Sequence, residues 1–192
     1  MAYPTVSAPY GLKAINRIDG MPYAGAIRQI PMASGYTATF FGDTVKIVDG
    51  YLNKDTGTTA ATPCGVFVGC QYVNAQGQTI QAQYAPAGQT NCIGFVVDDP
   101  MAAFQVAVVS GTTVIAGVSR TVVGSNMALV QNAGNTTTGD SGVAVLSTST
   151  DTTNTLPIRV IDVVPATATG TDSFVELIVK INTHQYNSTT GV

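Results

Sequence analysis

The residues in this chain whose types could do chemistry are few and widely spaced. His184 is the only histidine, and Glu176 is the only glutamate among eleven acidic residues. A Ser-His-Asp triad, or a zinc site built from several imidazoles, would have to rest on His184 alone. No G-x-S-x-G elbow accompanies it, so His184 reads as a surface or tail histidine making one hydrogen bond. Asp98 and Asp99 together could offer oxygens to Ca²⁺. Neighbouring residues at a strand end point to opposite faces, however, so the two read as turn caps. Glycosidase chemistry needs a pair of carboxylates flanking a cleft, and no such pair is marked. The glycine-rich residues 134–142 lack the strand–GxxxxGK[ST]–helix context of a phosphate loop. The expectation is no enzyme, no catalytic residue, no metal and no cofactor.

Cys64, Cys70 and Cys92 form an odd set with no C-x-x-C and no histidines at ligand spacing. Six residues along one extended strand span about 20 Å, far beyond disulfide reach, so Cys64 and Cys70 cannot pair if they share one. The three read as buried free thiols of a protein made in a reducing cytosol.

The elements that must position these groups are strands. Residues 63–100 form the stretch around which the chain is organised, with a dense apolar run at each end. Val66, Phe67 and Val68, between Gly65 and Gly69, are too few for a helix and too continuously apolar for a strand with one wet face. They suit a strand covered on both sides. Ile93, Phe95, Val96 and Val97 have the same character and stop at Asp98-Asp99-Pro100. Between them, Gln76-Gly77-Gln78 divides 71–75 from 79–84 as a hairpin. Further strands are predicted at 36–41, 44–48, 51–52, 104–108, 112–118, 120–123, 127–130, 143–146, 158–164 and 174–181. Residues 147–155, nearly all Ser, Thr, Asp and Asn, read as a long exposed loop, and the polar tail 182–192 as an arm.

Composition agrees. The chain has 192 residues, 45% hydrophobic but only 10% charged, with β-branched residues and glycine abundant. That disfavours long helices and favours many short strands. The fold class expected is all-β, a single β-barrel or β-sandwich-like domain with an extended N-terminal arm and long loops. Residues 1–35 are assigned to the arm and wrap, because Pro4, Pro9, Gly20, Pro22, Gly25 and Pro31 interrupt any helix. Residues 36–192 are assigned to the β-rich domain with its polar tail. So little charge leaves a neutral, hydroxyl-rich surface that suits a protein covered by partners. The net charge of −3 and singly scattered basic residues argue against nucleic-acid binding. No apolar run approaches a membrane span and no leader of the secretory type opens the chain, so neither membrane nor export is expected. Tyr3, Pro4, Tyr10, Arg17 and Arg28, chosen from the aromatic, proline and basic residues of the first 35, are the interaction candidates.

The order of several motifs resembles a known family. Pro9-Tyr10-Gly11-Leu12-Lys13-Ala14, Pro22-Tyr23-Ala24-Gly25-Ala26-Ile27-Arg28-Gln29-Ile30, Gly42-Asp43-Thr44-Val45-Lys46, Gly65-Val66-Phe67-Val68-Gly69-Cys70-Gln71-Tyr72, and Val96-Val97-Asp98-Asp99-Pro100 with Phe104-Gln105-Val106 together resemble the capsid decoration, or cement, proteins of tailed bacteriophages. Asn135-Thr136-Thr137-Thr138-Gly139 and the closing Thr189-Thr190-Gly191-Val192 extend the likeness over nearly the whole chain. The resemblance implies a β-rich virion protein on the outside of an icosahedral shell, partnered by the major capsid protein, acting as a homotrimer, assembled in the host bacterial cytoplasm and without catalytic residues. Extended arms would add strands to a neighbour's sheet edge, and a lattice would multiply weak contacts into avidity. Another virion part, such as a head fibre base or tail component, and a glycan-binding β-sandwich module are the alternative readings.

Overall fold

In a computed structural model describing residues 9–22, 25–112, 116–167 and 175–191, the chain is mostly β, with no helix of seven residues or more. Two sheets share the chain. The first is built from β2 (Arg28–Pro31), β3 (Thr44–Val48), β4 (Tyr51–Lys54), β5 (Gly65–Val73), β6 (Thr79–Ala82) and β7 (Thr90–Val97). Its order is β2-β7-β5-β3-β4, with β6 also on β5, and these strands pair antiparallel. A parallel bridge, Met32↔Leu52, brings β4 back to the end of β2, so the sheet nearly closes into a barrel. Its interior is packed by Ile30, Met32, Tyr36, Val45, Leu52, Phe67, Cys70, Cys92 and Val96. Gly94 makes that closure possible: a Cβ there would run into Leu52 Cδ2 and approach Phe67 Cε2 to 3.2 Å.

The second sheet contains β1 (Lys13–Arg17), β8 (Ala102–Val109), β9 (Asn126–Met127), β10 (Leu129–Val130), β11 (Ala144–Leu146), β12 (Ile158–Val163) and β13 (Glu176–Ile181). The order is β10-β11-β8-β13-β12-β9, and β1 also pairs with β8. Its core of Phe104, Val106, Met127, Leu129, Ile158, Leu177, Val179 and Ile181 takes in Val66 and Val97 from the barrel strands. Alternation along β5 and β7 thus sends Phe67 and Val96 into the barrel and Val66 and Val97 into the second core. Those strands are covered on both faces, as their continuous apolar runs require.

The barrel and the second sheet are pinned where Gly11 and Gly42 cross. Both have positive φ (81° and 92°), and a Cβ on Gly11 would lie 2.7 Å from Gly42 O and from Ser141 Cβ. Beside this crossing Asp43 is fully buried, accepting from Phe40 N–H (2.8 Å) and Ser141 Oγ (2.6 Å) and pairing with Lys54 Nζ (2.7 Å).

Three strand expectations are corrected. Residues 36–41 bury Tyr36 and Phe40, as the alternation requires, yet they make only single bridges, Thr39↔Ala85 and Phe41↔Asp140. The Phe40 N–H goes to the Asp43 carboxylate, so no ladder can run through it. Residues 120–122 form a 3-10 turn closed by Val123 N–H to Arg120 O. Of 112–118, residues 113–115 lie outside the described residues and the rest are not strand. The tail is corrected too: His184 is 1% exposed and Gln185 is buried. Gln185 takes the place of a strand beyond the point where β5 leaves β3. Its Oε1 accepts from Ile47 N–H (2.9 Å) and its Nε2 donates to Ile47 O (3.1 Å). Residues 9–35 give one strand to each sheet.

Candidate interaction surface

The five candidates from the N-terminal segment have different fates. Tyr3 and Pro4 lie outside the described residues. Tyr10 is buried, and its hydroxyl donates to Glu176 Oε1 at 2.6 Å. Burial, with the Glu176 carboxylate beside it, pushes the Tyr10 phenol well above its usual range. Gln105 Nε2 holds the other carboxylate oxygen at 2.7 Å, and Lys13 Nζ sits 4.4 Å from the Tyr10 ring centre. Tyr10 therefore ties the start of the chain to β13, and the lone glutamate is a buried structural acceptor.

Arg17 and Arg28 converge on one place, the turn that carries the chain from β7 in the barrel to β8 in the second sheet. Arg28 lies opposite Val96, and Arg17 opposite Ala102. Asp98 and Asp99 each take an arginine from a different sheet. Arg28 Nη1 lies 3.1 Å from Asp98 Oδ2, and Arg17 Nη1 lies 2.6 Å from Asp99 Oδ2. Asp99 also caps its own turn, accepting from Met101 N–H at 2.8 Å. Arg17 reaches Asp19 as well (2.8 Å), and that bond holds the Asp19 carboxyl below its usual range.

The C-terminal segment completes the cluster. Tyr186 accepts from Arg28 Nη1 (2.6 Å) and donates to Asp98 Oδ2 (3.2 Å), while its N–H donates to His184 Nδ1 (3.1 Å). Burial pushes the Tyr186 phenol up to about 12. Burial also holds His184 below its ordinary value, against the pull of Asp98 and Asp99, and leaves its Nε2 without a partner.

Exposed ion pairs of this kind contribute little stability, typically under about 1 kcal/mol. Their effect is to tie β1 and the start of β2 to the turn between the sheets. Among the described residues of 13–31, three large apolar side chains face solvent: Met21 (60% exposed), Ile27 (51%) and Ile15 (40%). The arginines that charge alone nominates are thus engaged within the chain, whereas the exposed apolar side chains beside and between them are the ones open to a partner. Single Ile and Met residues among glycines and prolines gave no periodic signal in the sequence. Tyr186 was equally hidden, since its role depends on a contact with Arg28 158 residues away.

Comparison of the chain with protein-family models, with curated proteins and with solved structures finds no match.

Proposed function

We propose that this protein is a structural component of a virion that binds the outer surface of an icosahedral capsid, as a homotrimer, and reinforces joints between capsomers without turnover chemistry. The motif order shared with capsid decoration proteins supports this reading. The observation that carries it is the exposure of Ile15, Met21 and Ile27 on or beside β1 and β2, strands that Arg17–Asp99 and Arg28–Asp98 tie to the turn between the sheets. Apolar side chains borne on or beside ordered strands lose little conformational freedom when a partner covers them. The partner is the major capsid protein, and assembly in the host bacterial cytoplasm suits three free thiols.

The test is co-sedimentation with shells lacking the protein, followed by heating of the particles. Full-length protein is expected to bind and to raise the temperature at which shells rupture. Met21→Asp with Ile27→Asp is expected to fold and to bind at least tenfold more weakly, and removal of residues 1–9 to weaken binding with the β core intact. Failure of the full-length chain to bind or protect shells refutes the assignment.

A further inference from the structure

Three sulfur atoms meet inside the barrel. Cys70 on β5 faces Gly94 on β7, two residues from Cys92, and a bulge between Gln71 and Val73 shifts the register beside them. Both side chains point into the barrel core. Cys92 Sγ is 3.5 Å from Met32 Sδ at the end of β2, and Cys70 faces the same core from the neighbouring strand. Cys70 Sγ has an acceptor in Tyr84 O, 3.4 Å away.

Above this cluster the barrel mouth opens into a cavity of about 510 Å³, to whose wall Met32 and Cys92 both contribute. No carboxylate, imidazole, ammonium or guanidinium lines it. The Tyr36 hydroxyl, buried and without a well-formed hydrogen bond, lies beside Cys92. An ion entering this cavity meets the Cys92 thiol and the Met32 thioether in its wall, with Cys70 behind them in the same core. Hard cations find no carboxylate there, whereas thiolate and thioether ligands select soft ions such as Cu(I).

We propose that Cys92, Met32 and Cys70 form a binding site for a soft monovalent metal ion of the Cu(I) class, loaded through the mouth of the barrel. The exchange is proton for metal, with no change of oxidation state: Cys92 loses its thiol proton to water in the cavity, and the ion bonds to the thiolate. Cys70 keeps its proton and turns it to Tyr84 O, presenting a sulfur lone pair. One thiolate and one monovalent cation leave the site neutral, which matters in an apolar core where net charge is expensive. The spacing needs little adjustment, since two sulfurs about 2.3 Å from a tetrahedrally bound metal stand about 3.8 Å apart.

The test is an anaerobic titration of the reduced full-length chain with Cu(I) held by a coloured chelator. The native protein is expected to withdraw one equivalent, and Cys64→Ser to withdraw the same. Cys92→Ser is expected to withdraw none. Met32→Leu, a volume-conserving core exchange that preserves the fold, is expected to bind about tenfold or more weakly. Ag(I), which does not cycle under these conditions, is expected to raise the melting temperature of the native chain but not of Cys92→Ser. No withdrawal by the native chain, unchanged affinity in Met32→Leu, or equal loss in Cys64→Ser overturns the proposal and leaves only sulfur packing or general thiol binding.

Discussion

The pair Asp43–Lys54 offers the most direct measure of how the two sheets are held together. Asp43 is fully buried, and its carboxylate takes one cation and two neutral donors: Lys54 Nζ at 2.7 Å, Ser141 Oγ at 2.6 Å and Phe40 N–H at 2.8 Å. Lys54 is itself 10% exposed, with Nζ 5.8 Å from the Phe40 ring centre. Asp43→Asn keeps the shape but strands a buried ammonium and turns an amide N–H₂ toward groups that are themselves donors. Lys54→Met keeps the volume but strands the carboxylate on two neutral bonds. Breaking a buried pair from one side costs about 3–5 kcal/mol, so each single change is expected in that range. The double variant removes both charges, and its loss is expected to be at least about 2 kcal/mol smaller than the sum of the two single losses. Urea unfolding of the four proteins, with the slope checked for constancy, reads these values directly. A loss under about 1 kcal/mol for Asp43→Asn, or additivity in the double variant, would refute the reasoning.

Other outcomes follow from the same geometry. Phe67→Ala, at the centre of the barrel, is expected to cost about 3–5 kcal/mol in urea unfolding. Gly94→Ala forces a methyl into Leu52 and is expected to cost about 1–3 kcal/mol, with part of the loss recovered on pairing it with Leu52→Val. Because burial lowers the folded pKa of His184, its contribution is fully present above the ordinary histidine value of about 6.5 and is lost as pH falls from there through the folded value. Unfolding midpoints at pH 7.5 and pH 5 are therefore expected to differ more for the native chain than for His184→Gln, and equal differences would count against the buried neutral imidazole. Burial pushes the Cys64 thiol up to about 12, so Cys64 is expected to resist alkylation at pH 8 until the chain is unfolded, as peptide mapping of the labelled protein would read.

What the sequence made legible follows from local physics, and what it hid depends on distant partners. The runs at 66–68 and 93–97 announced doubly covered strands because continuous apolar residues leave no face for water, and the hairpin between them carried its own turn chemistry in Asn74, whose Oδ1 accepts from Gln76 and Gln78 N–H. Residues 36–41 show the limit of periodicity. Alternation placed Tyr36 and Phe40 inward correctly, but a strand also needs a neighbour, and here the backbone donors are taken singly by Asp43 and Ala85. Polar composition concealed the burial of 184–185, because an amide side chain that imitates a strand edge has no hydrophobic signature. The pairings of Arg17 with Asp99, Tyr10 with Glu176 and Cys92 with Met32 depend on topology and on a bulge, neither of which is written in local spacing.

The division of strands between the two sheets sets an order in time for a chain emerging from the ribosome. Every strand pairing of the barrel falls between Arg28 and Val97, a single continuous stretch. The second sheet, by contrast, holds β1 against β8 and β8 against β13, so its centre cannot be laid down until Ile181 has been synthesised. Pairings this distant in sequence form slowly, and domains made first fold first. For the interval between the two, the outer face of the finished barrel, with Val66 and Val97, has no cover. The nascent chain is at its stickiest when it is half made.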